Sequence, residues 1–268
     1  MIPTDTVDKL EATWRALAAV GAELSEAEWK LPTDCPGWTV QDNLSHVIGT
    51  ERVLQGLSPA PVLADYPDHV KNPIGRHNED EIELRRPQPG AEVLAEWNEL
   101  LELRLSTLRN GDDEYYARPM VTPTGPGTMA DFLHIRVMDC YAHEQDIRRA
   151  VARPGDLDSP AAAHAVDRLL RTVPIVVGKR AGTPEGKTFV LHLTGPVARS
   201  VALTVVDGRA TVVPTIPDDV AVTVTMDSET FLVLALGRRT AEQTSAGWSI
   251  TGDTEIGTKF VSQLGMMI

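Results

Sequence analysis

The segment R-V-M-D-C-Y-A-H-E-Q-D-I-R-R, residues 136–149, places Asp139 and His143 four positions apart in a run free of Pro and Gly. In a helix, side chains at that spacing stack on one face, so the pair offers a carboxylate oxygen and an imidazole nitrogen to one divalent ion. A hydrogen-bonded pair on a helix surface has the same spacing. Two donors leave such an ion under-coordinated, and the natural third is His46 in N-L-S-H-V-I-G-T-E. Three protein ligands with one position open describe a catalytic zinc. For His46 the structural alternative is an exposed ring hydrogen-bonded to Asp42 or Thr50.

The polar neighbours have expected roles too. Glu144 follows His143 and turns about 100° off the ligand face, which makes it a surface charge. The pattern is not H-E-x-x-H, so a metalloprotease has little support. Asp146 either orients His143 or pairs with Arg149. Arg136, one turn before Asp139, either binds a substrate carboxylate or neutralises Asp139. Cys140 is expected to be a buried structural thiol. With Cys35 it makes no C-x-x-C pair and no disulfide framework, which fits a reducing cytoplasm.

These residues need helices to carry them. Val7, Leu10, Trp14, Leu17 and Leu24 recur at helical spacing and predict a first amphipathic helix over residues 6–24. A Pro36-Gly37 turn and Trp38 precede Thr39-x-x-Asp42, a capping-box pattern that opens a second helix and sets His46 about two turns into it. Residues 59–89 read as a long Pro-rich, charged connection with a weak helical pattern around Glu81 to Arg85. Such a stretch is either a lid or a solvated insertion, with His69 and His77 at the surface. A third helix follows Gly90, with Val93, Leu94, Trp97, Leu100, Leu101, Leu105 and Leu108 on its apolar stripe, and stops near Asn110-Gly111. After a loop, Thr128-x-x-Asp131 starts a fourth helix whose inward face carries Phe132, Arg136, Asp139, His143 and Ile147. Four such helices suit a four-helix bundle, where metal sites form between facing helices.

A Pro- and Gly-bearing acidic stretch at 153–160 marks a boundary, giving domains 1–152 and 153–268. Beyond it Ser159-Pro160 starts a helix to about Val177. The runs T-F-V-L-H-L-T, R-S-V-A-L-T-V-V, R-A-T-V-V-P and V-A-V-T-V-T-M then alternate as strands do, with a hairpin at Asp207-Gly208. Asp227 caps a helix ended by Gly237, and a last helix runs from Asp253 to Gly265. The expected second domain is α+β, an antiparallel sheet with helices on it.

Composition narrows the partners. The net charge of −13 lies almost wholly in residues 1–152, with 26 acidic and 14 basic side chains, which disfavours nucleic acid. No uncharged run exceeds twelve residues and the N-terminus has no signal-peptide pattern, so no membrane association is expected. A monomer and a homodimer are equally compatible with the sequence.

The segments C-P-G-W-T-V-Q-D-N-L-S-H-V, R-V-M-D-C-Y-A-H-E-Q-D-I-R-R-A and L-A-L-G-R together resemble the mycothiol-dependent maleylpyruvate isomerase family. The resemblance spans essentially the whole chain. It implies a DinB-like metal-binding four-helix bundle followed by a sterol-carrier-protein-like α+β domain. Carried across, the family's zinc ligands are His46, Asp139 and His143, with Asp139 where the isomerase has a longer Glu, and its C-terminal active-site arginine matches Arg238. The implied activity is that of a zinc- and mycothiol-dependent enzyme, with the thiol as co-substrate and activated as a metal-bound thiolate. That thiolate transfers to a small electrophile, or adds reversibly as in maleylpyruvate-type cis–trans isomerisation. Two other classes stay open: a different metalloenzyme (hydrolase or iron oxygenase), because two His and one carboxylate also suit iron(II), and a binding protein for an apolar ligand.

Overall fold

The computed structural model describes residues 2–265 and divides into two units, Met1–Gly155 and Asp156–Ile268. In the first, α1 (Thr4–Ala22), a short α2 (Glu26–Trp29), α3 (Val40–Leu54), α4 (Pro73–Glu83), α5 (Gly90–Arg109) and a short α6 (Asp113–Ala117) lead to a hairpin, β1 (Pro119–Thr122) with β2 (Gly125–Thr128), and then to α7 (Met129–Ala150). Helices α1 and α3 each pack against both α5 and α7, which closes the expected four-helix bundle. Leu10, Trp14 and Leu17 of α1, Leu44 and Val47 of α3, Trp97 and Leu101 of α5, and Leu133 and Val137 of α7 are all essentially buried in its core. Burial of this kind contributes about 1.5–3 kcal/mol for each large side chain. Trp14 and Trp97 meet edge to face at 5.9 Å, a favoured aromatic geometry.

Both capping boxes form. Thr39 accepts from the Asp42 backbone N–H and Thr128 from that of Asp131, while each Asp accepts from the backbone of its threonine. The entry turns of the two helices that carry His46, Asp139 and His143 are therefore pinned at their first residues.

Residues 59–89 depart from the sequence expectation: helix α4 occupies the middle of the stretch. Asn72 caps it by accepting from Gly75 N at 2.9 Å, and Pro73 sits in its first turn, where a missing N–H costs nothing. The helix shows no apolar stripe because the turn it buries, on all sides, is acidic: Glu79, Asp80 and Glu81 are buried beside Ile82. Those carboxylates collect the donors of the chain before them. Ala60 N donates to Glu81 at 2.7 Å, and Leu63 N and the Tyr66 hydroxyl both donate to Asp80 at 2.9 Å. A Cβ at Gly49 of α3 would lie 2.4 Å from the Glu81 Cβ, so glycine permits the close approach of α4. Gly49→Ala is therefore expected to destabilise the protein by about 1–3 kcal/mol through overpacking. Urea denaturation checks this. A gain of about 1 kcal/mol, the helix-propensity value, would show that α4 yields freely.

In the second unit α8 (Pro160–Leu170) is capped by Ser159, and α9 (Val173–Ile175) runs on into a π-helical turn, Val176–Arg180. The helix expected to reach Val177 thus breaks after Leu170, where Pro174 removes a backbone donor. Strands β3 (Thr188–Thr194), β4 (Arg199–Val206), β5 (Arg209–Val213), β6 (Val220–Asp227) and β7 (Trp248–Gly252) form one sheet in the order β5-β4-β3-β6-β7. Asp207 and Gly208 take φ of 51° and 70°, the type I′ turn that their types predict. The sheet is mixed, because β3 and β6 run parallel while the other pairings are antiparallel. Strand β7 was not expected from the sequence. Helix α10 (Ser228–Ala235) ends before Gly237, whose φ is 69°, and α11 (Thr254–Ser262) sets Phe260 on Phe189 of β3 with ring centroids 4.6 Å apart. Among the described residues no helix is long and apolar enough to cross a membrane.

Candidate metal centre

Helices α3 and α7 bring His46, Asp139 and His143 together, with one ligating atom of each within 4.8 Å of the others. Each carboxylate oxygen of Asp139 faces one imidazole: Oδ2 lies 3.2 Å from His46 Nε2, and Oδ1 lies 3.7 Å from His143 Nε2. Four ligands about 2.1 Å from a tetrahedral zinc stand roughly 3.4 Å apart, so these separations bracket what such an ion requires. Both imidazoles are buried, while Asp139 keeps 24% of its side chain exposed and forms the open side of the cluster. The donor set fits a divalent ion.

The tautomer of His143 follows from its neighbours. Asn43 donates its amide N–H groups to Thr39 O at 2.8 Å and Thr33 Oγ1 at 3.1 Å, which turns its Oδ1 toward His143 Nδ1 at 2.7 Å. That oxygen can only accept, so Nδ1 carries the proton and Nε2 presents a lone pair to the cluster. Asp146 lies 3.4 Å from the same Nδ1 and pairs with Arg149 at 2.5 Å, so the two expected roles of Asp146 are both filled. His46 is buried rather than exposed, and its Nδ1 has no hydrogen-bond partner among the described residues. Trp38 covers both rings, its centroid 5.3 Å from that of His46 and 5.6 Å from that of His143.

Burial lowers the His46 pKa to about 4, more than the pull of Asp139 restores, so the imidazole is neutral at pH 7. Burial alone would raise the Asp139 carboxyl, but Arg136, with His46 and His143 beside it, holds it well below the usual carboxylate range. The metal-competent protonation states are thus the resting ones. In the metal-free protein His46 binds its proton near pH 4 when folded and near 6.5 when unfolded. The unfolded chain binds more protons between those values, so the stability present above pH 6.5 is lost as pH falls through this window. The expected loss is about 3 kcal/mol, at 1.36 kcal/mol per pKa unit. Urea midpoints of the chelator-treated protein from pH 7 to 4.5 should fall steeply for wild type and less for His46→Gln. Equal slopes in the two proteins would contradict the assignment.

Arg136 is buried, and each of its three nitrogens has a protein partner. Nε donates to Glu51 Oε1 at 2.8 Å, Nη1 to Asp139 Oδ2, and Nη2 to Cys140 Sγ at 3.3 Å. Of its two expected roles these contacts fill the neutralising one. Glu144 corrects a sequence expectation: it is buried and accepts from Arg148 Nε at 2.8 Å, because α7 is packed on nearly every side and the outward direction is covered. Cys140 is the expected structural thiol, held by Trp14 Nε1 at 3.3 Å and pushed up to about 12 by burial, hence protonated. Cys35 is also buried, and the two cysteines are not joined in a disulfide. Cys35, His143 and Asp146 make a second close donor group, but it shares His143, whose Nδ1 is taken by Asn43, and Asp146 is held by Arg149. Arg238, in the second unit, is half-buried just beyond Gly237 and donates from Nη1 to Leu236 O at 3.3 Å.

Sequence reasoning missed Asn43, Trp38 and Glu51 as parts of the centre. Asn43 precedes His46 by three positions and so shares its helix face, a signal that spacing does contain.

Comparison with known proteins agrees with this architecture. Residues 10–148 match the mycothiol maleylpyruvate isomerase N-terminal domain, and residues 161–256 match the MDMPI C-terminal domain. An uncharacterized protein of Mycobacterium tuberculosis, found in two strains, is 28% identical over 244 residues, 88% of this chain and 86% of that one. Two crystal structures share the fold, those of the mycothiol-dependent maleylpyruvate isomerase and of a histidine-to-alanine mutant of it. Their TM-scores are 0.56 and 0.58 at 16% and 15% identity, with 94% of each chain covered. The first match alone spans more than half of the chain, which therefore belongs to the mycothiol maleylpyruvate isomerase family.

Proposed function

We propose that this protein is a mycothiol-dependent enzyme that holds a divalent ion, zinc in our reading, on His46, Asp139 and His143 and uses the thiol against a small electrophile. Family membership supports the thiol and the enzyme class. The observation that carries the metal is the convergence of the two Nε2 atoms on the two oxygens of one carboxylate, with Asn43 fixing the proton of His143 on the far nitrogen. A divalent ion with one carboxylate and two neutral imidazoles is net positive and favours thiolate over thiol at neutral pH.

The chain's own residues supply the rest. Asn43 keeps the proton on His143 Nδ1, Arg136 offsets the charge of Asp139, and Trp38 screens both imidazoles from water. Arg238 is assigned to holding a substrate carboxylate; Arg238→Lys is expected to raise KM about tenfold, the loss of one bidentate contact, with a smaller change in kcat. A thiol that stays on the electrophile gives S-transfer. One that adds to an activated double bond and leaves after rotation gives isomerisation, the activity in the family's name. The working compartment in this reading is the cytoplasm, where thiols stay reduced.

The test measures metal content, mycothiol binding by calorimetry with and without chelator, and turnover of an electrophile panel that includes cis-configured α,β-unsaturated acids. About one zinc per chain, with thiol binding lost on chelation, is the expected result. A product that carries the mycothiol sulfur, heavier by the whole thiol on addition or by the thiol less the departing HX on displacement, identifies transfer, and a product of unchanged mass and altered geometry identifies isomerisation. Thiol-independent turnover with bound iron would replace this reading with oxygen chemistry. Metal-free protein with no turnover of the panel would leave a binding protein instead, and a His46→Ala variant of full activity would remove the metal from the chemistry.

A further inference from the structure

Among the described residues Trp38 is the one aromatic ring stacked on both imidazoles of the metal cluster, and its own position is set from outside the bundle's core. Its indole Nε1 donates to Glu79 Oε2 at 3.2 Å. Glu79 belongs to α4, is fully buried, and lies 41 positions further along the chain. The same Oε2 is 3.2 Å from His69 Nε2, while Oε1 pairs with Arg86 at 2.6 Å. His69 rests against the turn that carries Trp38: a Cβ on Gly37, whose φ is 77°, would fall 2.5 Å from the His69 ring. Glu79 alone among the described acids of α4 reaches the metal cluster's cover.

We propose that Glu79 is a positioning residue of the metal centre: by holding the Trp38 indole N–H, with His69 closing the contact from the solvent side, it fixes the ring that orients the His46 and His143 imidazoles. The 59–89 stretch is then the buttress of the site. An indole free to rotate about χ2 would release both imidazoles from stacking and open them to water, and partners one shell beyond a metal's ligands commonly change its affinity ten- to a hundredfold. The link to the metal rests on the function proposed above; the link from Glu79 to Trp38 does not.

The experiment uses the full chain labelled with 5-fluorotryptophan. Its five tryptophans report individually by fluorine NMR, with Trp38 assigned from the Trp38→Phe variant. Glu79→Ala is expected to shift or broaden the Trp38 resonance while those of Trp14 and Trp97 stay in place, and to weaken metal retention, measured by competition with a chromophoric chelator, about tenfold. Glu79→Gln keeps an oxygen for the indole N–H and should hold the Trp38 resonance, with affinity within about threefold of wild type. On a Trp38→Phe background Glu79→Ala should cost no further affinity, because its effect runs through the N–H that phenylalanine lacks. An unmoved Trp38 resonance in Glu79→Ala, or additive losses in the double variant, overturns the proposal. If Glu79→Ala does not fold, His69→Ala, at a half-exposed position, takes its place: a shifted Trp38 resonance supports the proposal and an unshifted one overturns it. Wild type that holds no metal would retire the metal reading, and the fluorine result would still decide whether Glu79 positions Trp38.

Discussion

Asp139→Ala is expected to lose its metal while remaining folded. The carboxylate faces both imidazoles and is one of the three proposed ligands, so its removal takes away the cluster's only negative charge as well as one donor. Zinc held by four protein ligands is worth about 10–16 kcal/mol, which puts a single ligand near 2.5–4 kcal/mol and its loss at a roughly 100- to 1000-fold weaker affinity. The fold survives because Arg136, deprived of Asp139, keeps Glu51 and Cys140, and because His143 remains tied to Asn43. Asp139→Glu tests reach separately from charge. It restores the residue implied for the isomerase by resemblance, and affinity within about tenfold of wild type is expected, since the charge and donor type are kept. Metal per chain after dialysis, with chelator competition for the affinities, decides the matter. An Asp139→Ala protein that retains stoichiometric metal at wild-type affinity would show that the ion, if any, sits elsewhere.

The parts of the centre legible in the sequence are those that local rules govern. Spacing of four and the two threonine capping boxes were enough to place Asp139 and His143 on one helix face and His46 two turns into another, and the structure brings the three together. Helix α4 was only faintly legible, as a weak pattern around Glu81 to Arg85, for a physical reason: periodicity is read from apolar residues, and its buried last turn carries Glu79, Asp80 and Glu81, satisfied by backbone N–H groups of residues 60 and 63, which spacing does not link to them, as well as by Arg85 and Arg86. Its Asn72-Pro73 start was present as a signal but stood without a stripe to confirm it. Glu144 failed differently, because turning 100° from one buried face leads to solvent only if a helix has a wet side, and α7 has little of one. In the second unit strand alternation identified β3 to β6, but alternation carries no information about strand direction, and the parallel β3–β6 pairing had to come from the three-dimensional structure.

Removing Glu51 should produce the largest loss of stability. This carboxylate is fully buried between two fully or almost fully buried guanidiniums, accepting from Arg136 Nε at 2.8 Å and from Arg104 Nε at 3.0 Å. Glu51→Leu leaves Arg104 with only Gln55 and Tyr115, at 3.2 and 3.4 Å, while its Nη2 has no hydrogen-bond partner among the described residues even in the intact protein. Breaking one side of a buried ion network costs about 3–5 kcal/mol, which at roughly 2–4 °C per kcal/mol lowers Tm by about 6–20 °C. Tryptophan fluorescence suits the measurement, since Trp14, Trp29, Trp38 and Trp97 lie in the first unit and only Trp248 in the second. The same variant should weaken metal binding even where it stays folded. Arg136 now divides its charge between Glu51 and Asp139, and without Glu51 it pulls on Asp139 alone and makes that oxygen a poorer donor. Replacing both Glu51 and Arg104 by Met removes the stranded guanidinium with its partner, so most of the stability returns, as it does when buried ion pairs become apolar. The metal affinity should not return with it, because Arg136 still lacks its second carboxylate. Full recovery of both properties in the double variant would sever the link between the network and the metal centre.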